Sequence, residues 1–277
     1  MYDTLLVPSD GSDHAVRAAE HASYLAGLFE ATVHVVSVSD ATGDAGSPNA
    51  DEDQDGDERA DADAEAAIDT VTGVLDGSLD VERAVLRGTP AESILGYADD
   101  HGIDFLAMGT HGRTGVHRYV TGSVTESVVR HATAPVLTVR AVERSRVEGS
   151  YDEVLIPTDG SEEAGGAIEH GLRIARQCDA RVHVVNVVDV VGLGASPEFT
   201  MPTSVLEDIE SVGESAAEAV ADRARADGLE ATTAVRHGSP AWKLLDYAEE
   251  HDIDLVTMGT AGRSGIDRFL LGSTTER

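Results

Sequence analysis

Gly109, Gly112 and Gly122, followed at once by Ser123, Val124 and Thr125, are spaced as a phosphate cradle requires. Residues without side chains at 109 and 112 let backbone amides approach an anion. Gly122 and its three successors place N–H groups and hydroxyls at the start of a helical segment, where the peptide dipoles favour negative charge. The stretch reads GTHGRTGVHRYVTGS, residues 109–123, and it returns as GTAGRSGIDRFLLGS, residues 259–273. Gly259, Gly262, Gly272, Ser273, Thr274 and Thr275 therefore repeat the pattern. A Gly-x-x-Gly pair by itself is also an ordinary turn. Nine further residues and then Gly-Ser at a helix start, all present twice, favour the anion site over the turn.

Other residues near these loops carry two readings each. Arg113 and Arg263 suit a phosphate, and are also the kind of residue that stands as a solvated surface charge. Basic residues are scarce in this chain, so one beside a glycine loop carries weight. Asp10 in VPSDGS and Asp159 in IPTDGS follow short apolar runs that end in Pro8 and Pro157. Either acid can belong to the site, cap the next helix or brace the Asp-Gly turn. Met108 and Met258 read as core residues. His14, His21, His101 and His251 lack partners at metal-ligand spacing and read as surface or helix-end residues, so no metal site is expected from them.

Several catalytic classes are set aside. No G-x-x-x-x-G-K-[ST] occurs, and Lys243 is the single lysine, so a Walker-type ATPase is not available. No G-x-S-x-G elbow appears, and Ser9, Asp10, Ser12, Asp13 and His14 crowd together without the logic of a triad. One cysteine, Cys178, supports neither an internal disulfide nor a zinc cluster. The residues offer anchors for phosphate and no evident general base, which predicts a binding protein with no catalytic residues. An interaction protein whose glycine loops are merely structural is the competing reading, and a slow ATPase a further one.

The elements that must position these residues come in two copies. Residues 87–127 align without gaps to 237–277 with 20 of 41 positions identical, and LLVPSDGS matches VLIPTDGS. Each copy alternates Val-rich runs with segments of helical period, which predicts βα units, a parallel sheet and right-handed crossovers. In copy one, strands are expected at TLLVP, ATVHVVSV, VERAVL, DFLAMGT and PVLTVR. Helices are expected from a Ser12 cap, over about Ala60–Leu75, from a Thr89 cap with Pro90 in the first turn, and over SVTESVVRHA. The acidic stretch from Ala41 to Asp61 reads as a mobile loop. Its counterpart VVGLGASPEFTMPTSVLED is more apolar and suited to packing. The domains are read as 1–142 and 151–277, with a linker at 143–150.

Composition narrows the setting. Fifty-one acids against 20 bases give a formal net charge of −31, and removing Asp40–Asp69 still leaves 39 acids against 19 bases. The acidity is spread over the surface. Such a surface repels nucleic acid and anionic membranes, and its self-repulsion is screened by concentrated salt. The acid-rich, lysine-poor composition resembles that of proteins from salt-in halophiles. No apolar run approaches the roughly 18 residues of a membrane span, and MYDTLLVPSDG has no export signal, so a cytoplasmic protein is expected.

The pattern G-x2-G-x9-G-[ST], preceded by V-P-x-D-G-S, resembles the universal stress protein family, in its nucleotide-binding branch and tandem form. The resemblance covers nearly the whole chain. It implies α/β domains, each an open five-stranded parallel sheet of order 3-2-1-4-5 with helices on both faces. It also implies a cleft between strands one and four for ATP or another adenine nucleotide, accompanied by Mg2+ or Mn2+. By position, Asp10 and Val35 match the adenosine contacts, and Met108, Gly109, His111, Gly112 and Arg113 the ribose and phosphate loop. Gly122, Ser123, Val124 and Thr125 match the phosphate-binding helix start. The second set is Asp159, Val184, Met258, Gly259, Gly262, Arg263, Gly272, Ser273, Thr274 and Thr275, with Ala261 where His111 stands. The resemblance implies a role in stress response or signalling, in which weak hydrolysis or self-phosphorylation is compatible with binding. Pairing through strand five is expected, between the two domains of one chain or in a homo-oligomer. Copy two is expected to lack its last helix and strand, leaving strand four as an edge and Val136–Val139 to pair with another chain.

Overall fold

The structure, a computed structural model, describes residues 2–39, 50–112, 122–147, 149–162, 164–189, 202–260 and 274, with the side chains of 50–55 excepted. The chain divides into two compact units, Met1–Glu148 and Gly149–Arg277.

The first unit runs β1 (Thr4–Pro8), α1 (Asp13–Phe29), β2 (Thr32–Ser39), α2 (Ala50–Thr72), β3 (Val81–Arg87), α3 (Pro90–Asp100), β4 (Phe105–Gly109), α4 (Ser123–His131) and β5 (Val136–Val139). Its five strands lie in the order β3-β2-β1-β4-β5, with parallel pairing throughout. The central strands are apolar on both faces because helices cover both. Leu5, Leu6 and Val7 of β1 have no exposed surface. One face packs Leu6, Val36, Leu106 and Met108 against Ile94, Ala98 and Val128 of the helices.

The second unit runs β6 (Glu153–Pro157), α5 (Gly165–Cys178), β7 (Arg181–Val188), α6 (Thr203–Ala226), β8 (Ala231–His237), α7 (Pro240–Glu250) and β9 (Leu255–Val256). Its sheet has the order β8-β7-β6-β9, again parallel, with β9 at the edge of the described strands.

Repetition extends to fine detail. α1 and α5 end on non-glycine residues in the left-handed region, Glu30 and Asp179, both at φ 56°. Asp104, entering β4, accepts the amides of Asp3 and Thr4 at 2.8 and 3.2 Å, and Asp254 accepts those of Asp152 and Glu153 at 2.8 and 2.9 Å. In both copies a carboxylate fastens the start of one central strand to the start of its neighbour.

Two expectations change. The acidic stretch was expected to be loop as far as Asp61, yet α2 begins at Ala50. Its alanines and acids are compatible with a helix, and tertiary packing holds its C-terminal half, where Ala64, Ala67, Ile68 and Val71 are buried. Residues 40–49, and the counterpart at 190–201, lie outside the described residues. Of the histidines read as surface or helix-end residues, His101 and His251 do stand exposed at the ends of α3 and α7, whereas His21 is buried. His21 is 6% exposed and its Nε2 lies 2.8 Å from the Ser145 carbonyl. His101 stacks on Tyr97 at 3.8 Å between ring centroids, and His251 lies 4.1 Å from Tyr247 with the rings inclined by 32°.

Candidate functional site

The turn that leaves β1 is built by its own polar side chains. Ser9 donates its amide to the Val36 carbonyl at 2.8 Å, while its Oγ accepts the Gly11 amide and donates to the Ala67 carbonyl. Gly11, at φ 76°, makes the sharp reversal that a side chain would strain. Asp10 Oδ1 accepts the Ser12 amide at 3.0 Å, and Ser12 Oγ caps α1 by accepting the Ala15 amide at 3.3 Å. The cap is therefore Ser12, and Asp10 braces the turn, which leaves its second carboxylate oxygen to face elsewhere.

That second oxygen meets the loop after β4. A Cβ placed on Gly112 would lie 2.5 Å from Asp10 Oδ2, and one on Gly109 would lie 2.7 Å from the His14 backbone carbon. Both glycines are thus close approaches, in which the strand-four loop presses against the turn and first helical turn after β1. Ser12 Oγ joins the same contact by donating to the His111 carbonyl at 3.4 Å.

After the intervening residues the chain returns to the same point. Gly122 donates its amide to the Thr110 carbonyl at 2.7 Å, and buried Thr125 donates its Oγ1 to the Gly109 carbonyl at 2.7 Å. Thr110 in turn donates to Val139 of β5 at 2.9 Å. These bonds lock the first turn of α4 over the end of β4. Gly122 is the N-cap and supplies no side chain, so the first-turn amides of α4 have no side-chain cap. Ser123 is exposed there.

His111 and His14 complete the described part. His111 Nδ1 lies 3.0 Å from Thr110 Oγ1, while its Nε2 is buried without a hydrogen-bond partner among the described residues. The His14 ring centroid is 5.3 Å away. Burial pushes the His14 imidazole below its ordinary value, helped by His111 and Arg140 and opposed by Asp13 and Asp10. Sequence reading missed His14, because its nearness to the glycine loop exists only after the β1 and β4 ends are brought together.

The remaining residues of the first set divide clearly. Pro8, Val35 and Met108 are buried, so their side chains belong to the core and only their backbones can meet a ligand. Val124 packs its side chain against the core cluster around Leu106. Arg113 lies outside the described residues.

In the second unit the turn is similar but not identical. Gly160, at φ 76°, donates to Thr158 Oγ1 at 3.1 Å. Asp159 Oδ1 accepts both the amide and the hydroxyl of Ser161, at 2.9 and 2.5 Å. Among the described residues Ser161 caps no helix: α5 starts at Gly165, after Ala164, without a side-chain cap bond. Pro157 ends β6, Val184 is fully buried in β7, and Met258 packs against the cluster of Leu155, Val185, Leu244 and Tyr247. Gly259 and Thr274 are described, whereas Gly262, Arg263, Gly272, Ser273 and Thr275 lie outside the described residues.

Two tandem parallel-sheet units with paired glycine loops define the class, and the comparisons agree. The sequence profile of the universal stress protein family matches residues 1–140 and again 150–277. A universal stress protein of Methanocaldococcus jannaschii is 37% identical over 133 residues, covering 47% of this chain and 76% of that protein. One from Thermus aquaticus is 35% identical over 141 residues, covering 50% of this chain and all of that protein. The crystal structure of a universal stress protein from Archaeoglobus fulgidus covers 100% of this chain and 92% of its own, with a TM-score of 0.67 at 21% identity, a likeness of fold. The chain belongs to the universal stress protein family, in tandem form. Among the described residues no helix is long and apolar enough to cross a membrane.

Proposed function

We propose that this chain is a stress-response protein that binds an adenine nucleotide, ATP or AMP, in the cleft between the ends of β1 and β4. The observation that carries this reading is the contact of Asp10 with Gly112. It joins the turn after β1 to the glycine loop after β4, at the same end of the sheet as the uncapped start of α4. In an open α/β sheet this is the crevice beyond the carboxyl ends of the strands at the winding switch. Asp10 and the Val35 backbone would hold the adenosine. Gly109, His111, Gly112 and Arg113 would surround ribose and phosphates, with Gly122 to Thr125 donating to the terminal phosphates and Mg2+ or Mn2+ accompanying them. Asp159, Val184, Gly259, Gly262, Arg263 and Gly272 to Thr275 would form the second site.

The reading is one of binding more than turnover. Asp10 Oδ1 is taken by the Ser12 amide, so this acid acts as a fixed acceptor. Nucleotide binding would favour one conformation of the loops, and with it the affinity for a partner. Titration calorimetry with ATP, ADP and AMP tests it. Saturable heat with any of the three supports the reading, and no heat with all three would leave the glycine loops as structural turns of an interaction protein.

A further inference from the structure

Two imidazoles face each other where the first unit's cleft would receive phosphate. His14 stands in the first turn of α1 and His111 in the loop after β4, with ring centroids 5.3 Å apart and planes inclined by 51°. His111 is fixed through Nδ1 to Thr110 Oγ1, and its buried Nε2 has no partner among the described residues. Among the described residues, the charged groups around His14 come from four places. Asp13 lies beside it on α1, Asp10 is in the turn after β1, His111 follows β4, and Arg140 follows β5. Burial and the neighbouring cation disfavour a charge on His14 while the cleft holds no anion.

An arriving phosphate reverses that balance. Its negative charge offsets both the burial and Arg140, and it offers acceptor oxygens to an imidazolium N–H. The proton comes from solvent, no bond other than N–H is made, and the product is a neutralised contact between imidazolium and phosphate. The second copy cannot respond in this way, since Glu163 and Ala261 stand where copy one has His14 and His111.

We infer that polyphosphate binding in the first unit is coupled to protonation of His14 where it faces His111, so that acidification tightens this site and leaves the second copy's site uncoupled. The inference rests on the nucleotide-binding reading above. Binding raises the proton affinity of His14, so affinity rises as pH falls through its bound-state value and levels off below its free-state value.

Calorimetry of the full chain with ATP and Mg2+, at about pH 6.5 in buffers of different ionisation enthalpy, measures the protons taken up per nucleotide bound. Magnesium is included so that the nucleotide has already lost its own proton. The expected result is net uptake of up to about one proton per nucleotide at the first site, steepening affinity by up to about tenfold per pH unit. Uptake disappears in His14→Gln and shrinks in His111→Ala, the residue that copy two carries, because His111 is one of the groups that hold His14 neutral. The readout is protons per nucleotide bound, so a lower affinity alone does not imitate the loss. Binding without proton uptake, or uptake unchanged in both variants, overturns the coupling and leaves the nucleotide reading intact. No binding at any pH overturns both.

Discussion

Asp10 Oδ2 lies so close over Gly112 that a Cβ on the glycine would sit 2.5 Å from it. The acid and the glycine are about a hundred positions apart in sequence, yet they form one wall of the proposed cleft. Gly112→Ala forces the carboxylate away, because Asp10 Oδ1 is anchored to the Ser12 amide. The expected cost is about 0.5–1.5 kcal/mol in stability, that of the disturbed Asp10–Ser12 hydrogen bond, and at least about tenfold in nucleotide affinity, or 1.4 kcal/mol. Denaturant unfolding and calorimetry check the two effects separately.

Asp104 and Asp254 test the strand-start fastening. Asp104 accepts from two amides and from Thr4 Oγ1, and is partly buried, whereas Asp254 is exposed. Asp104→Ala is expected to cost about 1–2 kcal/mol, because amides at the start of β1 lose a charged acceptor. Asp254→Ala is expected to cost less, since water can replace its carboxylate. Equal losses in thermal unfolding would contradict the difference in burial.

Thr257 is a place where the second copy carries a defect. Its Oγ1 is buried without a partner, close to Gly171, and the first copy has Ala107 at this position. Thr257→Val removes the unsatisfied hydroxyl at nearly constant volume. A gain of about 1 kcal/mol in the unfolding of the second unit is expected, and a loss would show that the hydroxyl is satisfied in solution.

His21 makes the first unit sensitive to acid. Burial holds its imidazole below the ordinary 6.5, against the pull of the Ser145 carbonyl. A histidine whose folded-state value is depressed supports the fold while neutral and loses that support as pH falls below the unfolded value. Stability should therefore decline from about pH 6.5 downward, and less so in His21→Gln, which keeps a donor for Ser145. A pH dependence of melting temperature unchanged by His21→Gln would contradict the assignment.

Much of the fold was legible because strong signals agreed. LLVP, VHVV and FLAM are runs buried on both faces, Ser12 does cap α1, and the duplicated alignment fixed two copies of one topology. The segment 50–61 was misread because its acidity dominated its helix propensity, and the burial that holds α2 lies further on, at Ala64 to Val71. In the site, the glycine spacing pointed to the loop after β4, and Asp10 to the turn that meets it. His14 and the unpartnered Nε2 of His111 were not visible. Neither spacing nor residue type reports which side chains face each other across two strand ends. Likewise, Tyr97 with His101 and Tyr247 with His251 share a helical spacing of four residues, but the ring contacts became evident only in three dimensions.

The central claim is that the first unit holds an adenine nucleotide against Asp10 and Gly112. Native mass spectrometry of the full chain, as purified and after incubation with ATP and Mg2+, measures it most directly. The account predicts a mass increment of a whole adenine nucleotide, with the share of liganded protein falling sharply in Asp10→Ala and Gly112→Ala. A bare chain under both conditions, or equal nucleotide occupancy in the wild type and both variants, would contradict it.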